Sequence, residues 1–88
     1  MKRIPKYLRS LFWDISIDSF DPLEYPRYTI GRVLELGDEK AMRWLKEIFS
    51  EQQIMEVIKL ERRLTPKSAN FWASVYSIPS NEVVSLKK

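Results

Sequence analysis

Thr65-Pro66-Lys67-Ser68-Ala69-Asn70-Phe71-Trp72-Ala73-Ser74-Val75-Tyr76-Ser77 is the stretch that decides the fold class. The Thr65 hydroxyl can cap a helix start, and Pro66 brings a fixed torsion to a first-turn position where its missing N–H is not needed. Behind them Ala69, Trp72, Ala73 and Tyr76 fall at i, i+3, i+4 and i+7, which places them on one helical face. Phe71, Val75 and Ile78 widen that apolar arc. A helix over 66–77 is therefore expected with most of its surface buried, leaving a narrow polar stripe of Lys67, Asn70, Ser74 and Ser77.

The rest of the chain supplies neighbours for it. Upstream, Ser50 and Gln53 have the spacing of a capping box, opening a helix that turns Ile54, Val57 and Ile58 inward and frays near Arg62-Arg63. Asp38 caps the preceding helix, whose apolar face is Ala41, Met42, Leu45, Ile48 and Phe49. Before that, Pro26 opens a helix carrying Ile30, Val33 and Leu34, and Gly37 is expected to end it in the left-handed conformation. Pro5 suits the first position of a short N-terminal helix with Tyr7, Leu8, Leu11 and Phe12, ending near Trp13 or Asp14. The Asp-Pro and Tyr-Pro dipeptides between Asp14 and Pro26 mark an ordered loop. Beyond Pro79 a last short helix carries Val83, Val84 and Leu86. The expectation is an all-α single domain over residues 1–88, five or six short helices around one core that includes Trp13, Val33, Leu34, Leu45, Ile58, Trp72 and Tyr76.

Composition narrows the function classes. Apolar residues make up 44% and charged residues 31% of the 88, with only two glycines, which excludes disordered and low-complexity chains. There is no cysteine and no histidine, so thiolate metal sites, disulfides and the commonest general base are absent. Glycines only at Gly31 and Gly37 leave no glycine-rich phosphate loop. No cofactor is expected, and neither is an enzyme. No signal-peptide run opens the chain, and no stretch approaches the roughly 20 apolar residues that span a bilayer, so a cytoplasmic protein without membrane association is expected.

Net charge is +3, too small to argue for nucleic acid by itself. Its distribution is uneven: Lys2, Arg3, Lys6 and Arg9 precede Asp14, Asp18, Asp21 and Glu24. The acidic group lacks calcium-loop spacing and reads as caps and as balance for the basic start.

Two surfaces are candidates for contact. Arg62, Arg63 and Lys67 cluster before a helix that exposes Asn70 and Ser74, and fit an acidic surface, whether protein or phosphate backbone, through forked arginine hydrogen bonds. The plainer reading has the two arginines covering the carbonyls at a helix end. The last two helices, with small Ala73, then Ser77 and Val83, have the layout of a helix-turn-helix, whose DNA-facing residues would be Ser80, Asn81, Ser85, Lys87 and Lys88. Ordinary helix packing accounts for the same spacing. The three tryptophans read most simply as core anchors.

Leu11-Phe12-Trp13-Asp14, Arg32-Val33-Leu34-Glu35 with Gly37-Asp38, Trp44-Leu45, and Arg63-Leu64-Thr65-Pro66-Lys67-Ser68-Ala69-Asn70-Phe71-Trp72-Ala73 together carry a resemblance. They resemble a family of short prokaryotic proteins of unassigned activity, often encoded beside nucleotidyltransferase-type abortive-infection toxins. What the resemblance implies is an antitoxin-like role: binding and neutralising a companion toxin-like protein, with repression of a shared operon as a further implication. Gly31 departs from the charged residue such proteins more often carry mid-helix, and Ser77 stands where a helix-ending glycine is usual.

Overall fold

The computed structural model describes residues 4–16 and 19–86, and all regular structure in them is helical. A 3-10 helix, Lys6–Phe12, precedes four α-helices: α1 (Pro26–Leu36), α2 (Glu39–Ile48), α3 (Glu51–Leu60) and α4 (Pro66–Val75). Two three-residue 3-10 turns, Ser80–Glu82 and Val84–Leu86, follow. The α1 helix is the hub, packing against α2, α3, α4 and the N-terminal 3-10 helix.

Local chemistry sets most of the boundaries. Asp38 accepts from the Ala41 N–H at 2.9 Å and starts α2. Ser50 and Gln53 form the full capping box, each side chain holding the other's backbone N–H, at 3.1 and 2.9 Å. Thr65 accepts from the Ser68 N–H at 3.3 Å, with Pro66 at the first position of α4. Pro26 opens α1 in the same way.

The core is Leu8, Phe12, Ile30, Val33, Leu34, Ala41, Trp44, Leu45, Ile54, Ile58, Ala69, Ala73 and Val83 with their neighbours, all essentially out of water. Val33, Leu34, Leu45 and Ile58 stand in it as expected, and half-buried Trp72 and Tyr76 pack against it. Trp72 donates its indole N–H to the Leu34 carbonyl at 2.7 Å, which fastens α4 to the end of α1.

Five sequence expectations are corrected. Trp13 is not a core residue: it is 69% exposed and lies against the Arg32 guanidinium. Gly37 is extended (φ −80°, ψ 164°), not left-handed. Its need for glycine is steric, because a Cβ there would sit 2.7 Å from the Val33 carbonyl oxygen and 2.9 Å from the Ala41 Cβ. The left-handed residue is Ser77, with φ 55°. Ile78 N–H bonds to Ala73 O at 2.8 Å and Ser77 N–H to Ser74 O at 3.2 Å, the paired closure that ends a helix by a left-handed residue. Pro5 precedes the N-terminal helix as its cap, and that helix is 3-10 rather than α. Phe71 and Val75, expected to widen the buried arc of α4, are 57% and 54% exposed. The final helix is replaced by the two 3-10 turns, which Glu82 ties to Lys59 of α3 by an ion pair at 3.4 Å.

Candidate functional site

Where α1 passes the α3–α4 loop there is a cleft of about 160 Å3, lined by Arg27, Tyr28, Gly31, Arg32, Glu35, Leu36, Glu61, Arg63 and Leu64. Two carboxylates organise it. Glu61, almost wholly buried, accepts at Oε1 from the Arg63 backbone N–H (3.1 Å) and Nε (3.0 Å), and at Oε2 from Arg27 Nε (3.1 Å) and Arg63 Nη2 (3.2 Å). Burial alone would raise its pKa, but the Arg63 hydrogen bonds and the two guanidinium charges outweigh it and hold the carboxyl at about 2. Arg27 also donates to the Leu60 carbonyl at 2.6 Å, so it is Arg27 that covers the end of α3. The expectation that Arg62 and Arg63 cap those carbonyls is corrected accordingly: Arg63 clamps Glu61 instead.

Glu35 does the corresponding work on α4. Its oxygens accept from the Thr65 N–H (2.8 Å), the Thr65 hydroxyl (3.0 Å) and the Ser68 hydroxyl (2.8 Å). Burial pushes its pKa up, and these donors together bring it below the ordinary value. Both carboxylates are thus ionised at neutral pH, and neither is poised there to exchange a proton. Gly31 lines the cleft beside Glu61, but an added Cβ would meet Glu61 Cγ at 3.6 Å, an ordinary contact, so the site does not demand glycine.

Arg32 closes the far end. It donates to Leu11 O (3.1 Å), Asp14 Oδ2 (2.6 Å) and Tyr28 Oη (2.8 Å), while Tyr28 donates to Asp14 Oδ1 at 2.7 Å. Those bonds from Tyr28 and Arg32 lower the Asp14 pKa. Asp14 therefore serves α1 rather than balancing the basic start of the chain, as was expected of it. Asp21 does cap a turn, accepting from the Leu23 N–H at 3.0 Å; Asp18, Lys2 and Arg3 lie outside the described residues.

The sequence-predicted contact residues separate into two groups. Arg62, Arg63, Lys67, Asn70 and Ser74 are all exposed, running from the α3–α4 loop along α4. Arg63 alone among them is held by Glu61, and Arg62 and Lys67 have no ion-pair partner among the described residues. Beside Asn70 and Ser74 on α4 stand the exposed Phe71 and Val75, which sequence reasoning placed inside. The arc of seven apolar residues is wider than the buried side of α4, where Ala69 and Ala73 are packed, but its hydrophobicity alone does not say which part faces out.

The helix-turn-helix layout is not formed within the described residues. Ser80 and Asn81 are exposed on a 3-10 turn, but three residues do not make a helix that lies in a groove. Ser85 does not face solvent, since its hydroxyl is buried without a hydrogen-bond partner, as is that of Tyr76. Lys87 and Lys88 lie outside the described residues.

Residues 7–58, more than half the chain, match the model of a family of unknown function, DUF6922. The chain belongs to this family. No curated protein and no solved structure matches the chain. The family match takes in the resemblance at 11–14, 32–35, 37–38 and 44–45 but stops before 63–73, so the α4 segment is not part of it. Arg32, Glu35 and all but the last three lining residues of the cleft lie inside the matched region. Among the described residues no helix is long and apolar enough to cross a membrane.

Proposed function

We propose that this chain is a noncatalytic protein-binding module, antitoxin-like, that neutralises a companion toxin-like protein by direct binding. One observation carries the reading: Phe71 and Val75 stand one turn apart on the outward side of α4, each more than half exposed. Fully burying side chains of this size is worth roughly 1.5–3 kcal/mol each, and the fold leaves much of that unrealised. Asn70 and Ser74 beside them are small enough to let a partner approach. Arg62 and Lys67, unpaired among the described residues, lie toward the start of the same helix and favour a partner with carboxylates at the rim. The resemblance to short prokaryotic proteins encoded beside nucleotidyltransferase-type abortive-infection toxins supports the kind of partner.

The test is co-expression with the product of the adjacent gene, followed by complex isolation and measurement of Kd. A stable complex is expected, weakened about tenfold or more by the double substitution Phe71→Ser and Val75→Ser, as loss of two anchor side chains implies. Absence of any complex, or unchanged affinity in the double variant, would count against the reading.

A further inference from the structure

The N-terminal 3-10 helix carries a second exposed surface that neither its packing nor the proposed function uses. Successive turns of a 3-10 helix eclipse one another, so Tyr7, Ser10 and Trp13 line one edge, and at about 2.0 Å rise per residue the two aromatic positions stand about 12 Å apart. Leu8 and Phe12 face the core, while Tyr7 is 48% and Trp13 69% exposed. Each ring has a cation over one face: Lys40 Nζ lies 4.2 Å from the centre of the Tyr7 ring, and the Arg32 guanidinium 4.6 Å from that of Trp13. Arg32 is itself fixed by Leu11, Asp14 and Tyr28, which holds a rigid plane under the indole. Both side chains still keep about half or more of their surface in water.

We propose that this edge is a stacking platform for single-stranded nucleic acid. Two unpaired bases stack on the exposed rings of Tyr7 and Trp13, and the linking phosphates meet Lys6, Lys40 and, one turn further along α2, Arg43. Aromatic rings interleaved with cations suit a strand in which bases alternate with phosphates. Asp14, the carboxylate next to Trp13, is already engaged by Arg32 and Tyr28 and so repels a phosphate less. A duplex does not fit, because its paired bases keep their faces stacked. Bases in a helical strand rise only about 3.4 Å each, so rings about 12 Å apart receive non-adjacent bases.

The test uses fluorescence anisotropy of labelled ten-nucleotide oligo(rA) and oligo(dA), and of a ten-base-pair G·C-rich DNA hairpin that stays paired at low salt, from about 50 to 200 mM salt. The single strands are expected to bind at least tenfold more tightly than the duplex. Three or four phosphate contacts give a log–log salt slope of about −2 to −3. Tighter binding of the RNA strand would add a contact to the 2′-hydroxyl, and equal binding would confine recognition to bases and phosphates; both support the platform. Trp13→Ala and Tyr7→Ala should each weaken binding about tenfold, Trp13→Phe should retain most of it, and all three should melt within a few degrees of the parent. The proposal is overturned by absence of single-strand binding at low salt, by equal affinity for duplex, or by a Trp13→Ala variant that binds as the parent does. It is equally overturned if these substitutions weaken only the complex with a protein partner.

Discussion

Around the start of α4 the molecule treats polar and apolar groups in opposite ways. On its inner side all four oxygens of Glu35 and Glu61 accept hydrogen bonds, from Thr65, Ser68, Arg27 and Arg63. On its outer side Phe71 and Val75 have water over them. A charge removed from water must be matched within the fold, or it costs several kcal/mol. An exposed apolar side chain imposes no such demand, so the fold alone gives no reason for the Phe71–Val75 pair. The matched carboxylates hold the fold together, whereas the exposed apolar pair is the feature on which the proposed recognition rests.

Reversing Arg63 attacks that division most strongly. Arg63→Glu removes the clamp on Glu61 and sets a second carboxylate against it, so unfolding in urea should show a loss of about 2–3 kcal/mol. Affinity for the proposed partner per folded molecule should not change. If the midpoint holds and affinity falls, Arg63 belongs to the recognition surface and the division fails.

Acid should erode the same junction. Glu61 has a folded-state pKa of about 2 against an ordinary 4.5, so its contribution is complete above about 4.5 and is lost as pH falls from there toward 2. A difference of this size has a ceiling of about 3 kcal/mol, and solvent screening of the largely exposed Arg27 and Arg63 brings it nearer 1–2 kcal/mol. Glu35 contributes with the same sign. Urea titrations between neutral pH and pH 2.5 should show the decline in the parent and a flatter curve in Glu61→Gln. Equal slopes would place the acid sensitivity elsewhere.

A smaller effect tests the far end of α4. Ser77 holds a left-handed torsion that suits glycine, so Ser77→Gly should stabilise the protein by about 0.5–1 kcal/mol in thermal or urea unfolding. Destabilisation would mean that the Ser77 side chain does work the backbone conformation does not reveal. Smallest of all on stability should be Phe71→Ser and Val75→Ser, each within about 0.5 kcal/mol of the parent, because water already covers much of both. A large loss of stability in either would return that side chain to the core and remove the contrast with Glu61.

Helix starts were legible because their causes are local. Asp38, Ser50 and Thr65 each lie within three residues of the N–H they satisfy, and all three cap as their spacing predicts. The exposed side of α4 was legible only in its polar half. Asn70, Ser74 and Lys67 announce exposure by chemistry, whereas Phe71 and Val75 share an apolar arc with Trp72 and Ala73, and hydrophobicity cannot say which part of a wide arc meets a neighbour.

What the amino-acid sequence determined by itself is the all-helical class, the caps, and the central core positions, since these follow from interactions spanning a few residues and from apolar spacing at the helical period. Tertiary structure alone decided the rest. Trp13 went outside because Arg32, nineteen positions away, offered its guanidinium as a stacking surface. Gly37 is required by the approach of Ala41 and the Val33 carbonyl, not by its own torsion. Arg63 met Glu61 beside it, but the carboxylate is buried only because α1 brings Arg27 and Gly31 across from the other side. Each of these outcomes depends on which segments are brought together in space, and that pairing has no local signature in the chain.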